Sequence, residues 1–190
     1  MTKRDNHYEA AFEEYLRSRR APYLAVDETR RSLWAPGSAG SLKSLDFVVT
    51  PQGGAKLLLL DVKGRRFPPG TKPQYWKNWS TTDELRSLSR WEKLLGPNAR
   101  AVLLFAFHLA GDKSPLPVEE LFSYRGRTYA YLGVELAHYA AYARRLSPRW
   151  DTVTLPVPIF RRLAQPFSLY LAGGSLPAPH EPELDAVAGN

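Results

Sequence analysis

The 190-residue sequence predicts an α/β protein, built on a mixed β-sheet that helices flank, with an additional α+β subdomain after it. The order of the predicted elements, helix, strand pair, helix and strand, supports this class. Residues 7–20 have apolar side chains at helical spacing, and residues 45–49 and 57–64 are apolar runs joined by a Gly-rich turn. Residues 101–109 are too apolar to alternate, which predicts a central strand buried on both faces.

The first predicted helix covers residues 7–20, and Pro22 ends it. Asn6 followed three residues later by Glu9 resembles a capping box, which would account for Glu9 on structural grounds alone. Glu9 can equally serve as a third carboxylate beside a metal site, and both interpretations stay open at this point. Residues 23–26 predict an edge strand after this helix.

The strand pair brings three charged side chains together. If residues 53–54 form the turn, Asp46 lies directly opposite Asp61, and strand alternation puts Lys63 on the same face. Two facing carboxylates repel each other, so their position beside four leucines requires compensation. Oxygen ligands from Asp46, Asp61 and the Val62 carbonyl suit Mg²⁺ or Mn²⁺, and Lys63 can then orient a water. The alternative is a salt-bridged patch in which both carboxylates share Lys63.

This spacing resembles the active-site signature of the PD-(D/E)XK nuclease superfamily, because Asp46 is followed fifteen positions later by the sequence Asp61-Val62-Lys63. The resemblance is closest to the archaeal Holliday-junction resolvases, which carry a Ser-Ala-Gly-Ser loop before the first Asp, as this chain does at residues 38–41. These proteins also begin with a helix that bears an early Glu, here Glu9. The resemblance covers residues 6–109.

The resemblance implies a restriction-endonuclease-like fold and a metal-dependent DNA endonuclease. It places Asp46, Asp61, Lys63 and Glu9 at the catalytic site, with Mg²⁺ or Mn²⁺ as the cofactor. The chain departs from the family at Ala10 and at Gly37, where the family has arginines. The preferred DNA structure, branched or otherwise, therefore stays open. A second hypothesis is a catalytically inactive nucleic-acid-binding or assembly module that keeps the nuclease-like fold.

Basic and hydroxyl-bearing side chains near the strand pair predict contacts with nucleic acid. Two serines of the loop at 38–41 can hydrogen-bond a phosphate. The stretch 64–79, whose three prolines and two glycines predict a loop, interleaves basic residues with aromatic ones. The candidate nucleic-acid-binding residues are Ser38, Ser41, Arg65, Arg66, Lys72 and Lys77. The aromatic residues of the same stretch can instead fold back on the core or form a dimer contact.

Composition narrows the class of partner. A formal net charge of +7 and a pI near 9.7 favour an anionic partner, of which nucleic acid is the commonest. The absence of cysteine excludes disulfides and thiolate metal sites, and the four histidines lack ligand spacing. No apolar run is long enough for a membrane span, so we expect a cytoplasmic protein. Symmetric cleavage of two strands would favour a homodimer.

The predicted domain organisation has three parts. Residues 1–110 form the nuclease-like core, and residues 111–171 form an α+β extension packed on it. The extension is rich in arginine, so it either enlarges the nucleic-acid surface or mediates dimerisation. Residues 172–190, rich in Gly, Pro and Ala, predict a disordered tail. Within the core, Ser80 or Thr81 caps a helix that runs to about Leu95.

Overall fold

A computed structural model of the protein describes residues 6–26, 45–54, 56–68 and 76–173. The strands in these ranges are β1 (Tyr23–Ala25), β2 (Phe47–Val49), β3 (Leu57–Phe67), β4 (Ser80–Thr81), β5 (Ala99–Leu109), β6 (Leu121–Tyr124), β7 (Arg127–Glu135), β8 (Arg144–Ser147), β9 (Thr152–Thr154) and β10 (Gln165–Pro166). The helices are α1 (His7–Ser18), α2 (Thr82–Leu95), α3 (Leu136–Tyr142), α4 (Val157–Leu163) and α5 (Phe167–Leu171).

Among the described residues, seven strands form one mixed sheet in the order β1-β2-β3-β5-β7-β10, with β6 also paired to β7. The central pair, β3 and β5, is parallel over eleven residues, and the other pairs of this sheet are antiparallel. A parallel pair requires a crossover, which α2 supplies between the two strands. Every side chain from Ala101 to Phe107 is buried, so the predicted central strand is confirmed.

Helices cover both faces of the main sheet. On one face, Phe12 of α1 and Phe167 of α5 pack with Leu60 and Leu104 of the sheet. The side chains that form the core on the opposite face come from α2, α3, α4 and the sheet, and they include Leu88, Tyr139, Phe160, Leu59 and Phe105. The sheet therefore separates two apolar cores, and the predicted mixed sheet flanked by helices is confirmed.

The predicted separate subdomain at 111–171 is not confirmed. β7 pairs with β5 from Val102↔Glu135 to Leu109↔Thr128, so the main sheet continues across the predicted boundary after residue 110. A second sheet of the described residues has the order β4-β9-β8, and it ties β4, just before α2, to the C-terminal part of the chain. Of the predicted tail, residues 174–190 lie outside the described residues.

The turn between β2 and β3 differs from the two-residue turn that the sequence predicted. Pairing stops at Val49↔Leu58, and a short 3₁₀ turn over Gln52–Gly54 lies between the strands, with Gly53 at φ +73°. Pro51 has no N–H to donate to the ladder, which is one reason why the strands do not pair up to the glycines. The register is nevertheless symmetric about residues 53–54, with Phe47 opposite Leu60.

β3 is longer than predicted. The sequence indicated a loop from Gly64 onward, but β3 continues to Phe67, because β5 pairs with it up to Phe67↔Leu109. Arg65 and Arg66 therefore lie on a strand and point to opposite faces of the sheet. None of the helices in the described ranges combines the length and the apolar character that crossing a membrane requires.

Candidate active site

The candidate site lies where β3 runs beyond the end of β2. Asp46 directly precedes β2, and its backbone N–H donates to the Leu60 carbonyl at 2.8 Å. Its own carbonyl accepts a hydrogen bond from the Val26 N–H at 3.0 Å. The regular ladder between β2 and β3 ends at Phe47↔Leu60, so both Asp46 and Phe47 lie against Leu60. The Asp46 side chain nevertheless reaches the Asp61 carboxyl, which it contacts by a hydrogen bond. The backbone thus fixes the first carboxylate from both neighbouring strands.

The Asp46 carboxyl is held against the backbone of the next strand. Its Oδ2 accepts a hydrogen bond of 2.6 Å from the Val62 N–H. Because the N–H and C=O of one strand residue point to the same side, the Val62 carbonyl also faces the Asp46 side. Burial, followed by the negative charge of Asp61, raises the pKa of Asp46 to about 8, against the opposing effect of the Val62 hydrogen bond. The Asp46 carboxyl therefore holds a proton at neutral pH when no cation is bound.

Lys63 lies between two carboxylates. It is 7% exposed, and its Nζ is 2.6 Å from Asp61 Oδ2 and 2.9 Å from Glu84 Oε1. Burial alone would lower the pKa of Lys63, but the negative charges of Asp61 and Glu84 outweigh burial and raise it. Burial raises the pKa of Asp61 although the charge of Lys63 opposes this. The ammonium group is thus fixed in its charged form beside the two facing aspartates.

Glu84 is the residue of this cluster that the sequence analysis missed. It occupies the third position of α2 and forms a capping box, in which Oε2 accepts from the Thr81 N–H and from the Ser80 hydroxyl, both at 2.8 Å. Burial would raise the pKa of Glu84, but the charge of Lys63 and these hydrogen bonds lower it to about 2. The Thr81-x-x-Glu84 spacing was a usable signal for the capping box.

Glu9 lies in the first turn of α1 and is partly buried. Its Oε1 accepts a hydrogen bond of 2.7 Å from the Asn6 side chain, while Asn6 Oδ1 caps the helix through the Tyr8 N–H. The cap is thus formed by Asn6, and Glu9 bonds to the Asn6 side chain. The negative charge of Glu9 also raises the pKa of Asp46, so the two carboxyls sense each other. Its catalytic role stays a prediction.

The predicted nucleic-acid-binding residues fall into two groups. Ser38, Ser41 and Lys72 lie outside the described residues, as does the whole Ser-Ala-Gly-Ser loop. The described members are Arg65, which is partly buried, and Arg66 and Lys77, which are exposed. A binding role for these three residues stays a prediction.

The Arg65 guanidinium already has contacts within the protein. It donates to the Gly64 carbonyl at 2.8 Å and to the Trp79 carbonyl, and it stacks on the Trp79 ring at 4.1 Å. Burial lowers the pKa of Arg65. Among the aromatic residues of the same stretch, Phe67 is buried and Trp76 packs on it with ring centroids 5.5 Å apart. The positions of these two rings agree with the alternative prediction, in which the aromatic residues of this stretch fold back on the core.

The donor set of the site suits a divalent cation. No group of three or more His, Cys, Asp or Glu side chains in the described ranges is placed to hold a metal ion. The positive charge around Asp46 and Asp61 is nevertheless too small to keep both carboxyls ionised, because Asp46 stays protonated at neutral pH. Mg²⁺ and Mn²⁺ prefer carboxylate and carbonyl oxygens and complete their coordination with water and substrate phosphates. Asp46, Asp61 and the Val62 carbonyl supply such oxygens.

Neither a family model nor a curated protein matches the chain. One solved structure that is similar to it is that of Hjc, a Holliday junction resolvase from the archaeal hyperthermophile Archaeoglobus fulgidus. The two chains are 14% identical, the match covers 86% of this chain and 97% of that one, and the TM-score is 0.49. A likeness of this size does not establish a family, so the function must be inferred from the residues of this chain.

Proposed function

We propose that this chain is a metal-dependent endonuclease that hydrolyses phosphodiester bonds of DNA. The observation that carries the proposal is the contact between the Asp46 and Asp61 carboxyls just before β2, with the Lys63 ammonium 2.6 Å from Asp61. Two acidic groups and a lysine that converge in this way are also what the PD-(D/E)XK signature in the sequence implies. The net charge of +7 favours a polyanionic substrate.

In this proposal, Asp46, Asp61 and the Val62 carbonyl hold Mg²⁺ or Mn²⁺. The bound cation supplies Lewis-acid chemistry at the phosphate and makes water a better nucleophile at neutral pH. With the cation held there, the Asp46 carboxyl would be ionised, because the added positive charge would offset the burial and the charge of Asp61 that raise its pKa. In the hydrolysis, the water oxygen bonds to phosphorus as the water loses a proton, one P–O ester bond breaks, and the leaving oxygen takes up a proton in its place.

Lys63 orients the attacking water and offsets the negative charge that develops on the phosphate. Glu84 positions Lys63 rather than touching the substrate, because its Oε1 pairs with the ammonium while its Oε2 is bound by Ser80 and Thr81. Glu9, whose charge reaches Asp46, assists as a third carboxylate. Cleavage of both strands of a branched or duplex DNA would require two copies of the chain, which favours a homodimer.

A second candidate function is a nucleic-acid-binding or assembly module without turnover. The pairing of Lys63 with two carboxylates favours it, because a buried ion cluster of this kind can be purely structural. A module of this kind would bind DNA with a strong dependence on salt concentration and with no dependence on a chelator.

The test compares DNA cleavage by the wild type, Asp46→Asn, Asp61→Asn and a matched control, Asp83→Asn. Asp83 is an exposed carboxylate on α2 that pairs with Arg86. We expect cleavage of a labelled duplex and of a four-way junction with Mg²⁺ or Mn²⁺, a loss on the order of a thousandfold in both site variants, and no loss in the control. Calorimetric Mn²⁺ binding should disappear in the same two variants. Cleavage that persists in both variants, or in EDTA, would contradict the proposal, and chelator-independent binding without cleavage would favour the second candidate.

A further inference from the structure

A second cluster of titratable side chains lies on the face of the sheet that α1 covers. Arg66 of β3 pairs in register with His108 of β5, and His108 pairs with Tyr129 of β7. Residues paired in register point to the same face, so these three side chains form a row across three neighbouring strands. Arg127, two residues before Tyr129 on β7, points to that face as well.

His7, at the start of α1, lies against this row. Its Nδ1 is 2.9 Å from the Tyr129 hydroxyl, and its ring is edge-on to the ring of His108 with centroids 5.8 Å apart. When the Tyr129 hydroxyl donates to Nδ1, the imidazole proton of His7 is on Nε2, which can then act as a donor. The row and His7 together bring two imidazoles and two guanidinium groups to one place.

The charges in this cluster have one sign. Burial lowers the pKa of His7 and of His108, and the positive charge of Arg127 lowers both further. Arg66 adds to the effect on His108, and His108 adds to the effect on His7. The cluster therefore consists of two guanidinium cations and two imidazoles that are neutral at neutral pH, and within the described ranges no carboxylate contributes to the pKa shifts of its histidines. Donors of this kind suit an anion.

We propose that His7, His108, Arg66 and Arg127 bind a phosphate group of the nucleic-acid strand, other than the phosphate that is cleaved. The identity of the ligand rests on the proposed function. Guanidinium groups donate paired N–H bonds that match phosphate oxygens, and the imidazole N–H groups add donors to the remaining oxygens. Tyr129, which is completely buried, fixes the orientation of His7 and does not itself need to reach the phosphate.

The position of the cluster fits a second contact with the same strand. Arg66 follows Lys63 by three residues on β3, so the two sites are roughly 10 Å apart along this strand. Their side chains leave opposite faces of the sheet, but β2 does not cover β3 beyond Leu60 in the described ladder. A nucleic-acid strand that passes along this edge, where no described strand pairs with β3 on that side, can therefore contact both sites within a few nucleotides.

The test is an NMR titration of the histidine side chains of the full chain in EDTA, where no metal-dependent cleavage takes place. The probes are inorganic phosphate and, separately, a short DNA duplex. We expect the imidazole signals of His7 and His108 to move together and to saturate with DNA. His138, on α3 at the opposite face of the sheet, is the internal control and should not move. Equal movement of the His7, His108 and His138 signals, or movement of none of them, would overturn the proposal, as would movement with inorganic phosphate and not with DNA.

Variants give the second measurement. Arg127 is exposed, so Arg127→Gln is not expected to disturb the fold, and it should weaken DNA binding about tenfold through the loss of one charge-assisted contact. In the His108→Gln variant, the imidazole NMR signal of His7 should no longer move when DNA is added. The matched control is Arg90→Gln, which removes an exposed charge from α2 and should leave the affinity unchanged. Equal weakening by both arginine variants would overturn the proposal.

The two proposals fail in different ways. If the wild type cleaves DNA while the NMR signals of His7 and His108 do not move, the nuclease proposal is supported and the phosphate-site proposal is wrong. If the movement of these signals saturates with DNA but no cleavage occurs with any metal, the phosphate-site proposal is supported and the nuclease proposal is wrong.

Discussion

Two charged clusters flank β3, and they differ in whether the protein supplies the counter-charge. In the acidic cluster, Asp46, Asp61 and Glu84 surround Lys63, which is 7% exposed. In the basic cluster, Arg66 and Arg127 are exposed and the imidazoles of His7 and His108 are partly buried. The acidic cluster is buried and has one ammonium for three carboxyl groups, whereas the basic cluster opens to solvent.

The difference shows which charged groups the stability of the fold depends on and which it does not. A buried ion that loses its partner is left uncompensated in a region of low dielectric, and that is costly. An exposed ion that loses a neighbour is still hydrated, so the fold changes little. We therefore expect substitutions in the acidic cluster to change both stability and activity, and substitutions in the basic cluster to change binding alone.

The largest effect expected is that of Lys63→Met. This change leaves Asp61 and Glu84 without their shared cation, and it should lower the free energy of unfolding by about 3–5 kcal/mol. Urea denaturation followed by circular dichroism measures the loss. The double variant Lys63→Met with Glu84→Gln is the control, because removing the uncompensated carboxylate should restore part of the stability. A loss below about 1 kcal/mol would mean that the cluster does not depend on Lys63 and would break the comparison.

The second expected effect is on pH dependence, measured in EDTA. The pKa of Asp46 is raised to about 8 in the folded protein, so over the neutral range the folded state binds a proton that the unfolded state has released. The free energy of unfolding should therefore fall as pH rises, by about 1.4 kcal/mol per unit between roughly pH 5 and pH 7.

Asp46→Asn should remove this contribution, so that the variant is the more stable protein near neutral pH and loses the advantage in acid. Comparing urea midpoints of the two proteins at several pH values measures the contribution of Asp46 together with the change that its loss causes in the titration of Asp61. Mn²⁺ should reduce the slope of wild type as well, because a bound cation takes the place of the proton. Parallel stability curves for the two proteins would show that Asp46 is ionised without a cation.

The elements that the sequence predicted correctly depend on local patterns. The helical spacing of Phe12 and Leu16 fixed the first helix, the apolar run at 101–107 fixed the central strand, and Thr81 was a recognisable cap. The symmetric register of β2 and β3 followed from two apolar runs of the right length, although the predicted two-residue turn was wrong. These signals need only neighbours in sequence.

The features that the sequence missed depend on partners far apart in the chain. β3 continues to Phe67 because β5 pairs with it, which no pattern within 64–79 indicates. The capping box identifies Glu84, but only the tertiary fold turns its second oxygen toward Lys63. His7 and Tyr129 are 122 residues apart, so nothing in the spacing of the histidines could indicate their contact.

The smallest effect expected is that of Arg127→Gln on stability, and it sharpens the comparison most directly. Because Arg127 is exposed among groups of like charge, the free energy of unfolding should change by no more than about 0.5 kcal/mol. The pKa of His108 should rise toward its ordinary value, because the positive charge of Arg127 lowers it in the wild type. Urea denaturation and an NMR pH titration of His108 measure the two effects. A destabilisation as large as that of Lys63→Met would mean that Arg127 has a structural role, and the two clusters would then not differ in the way proposed here.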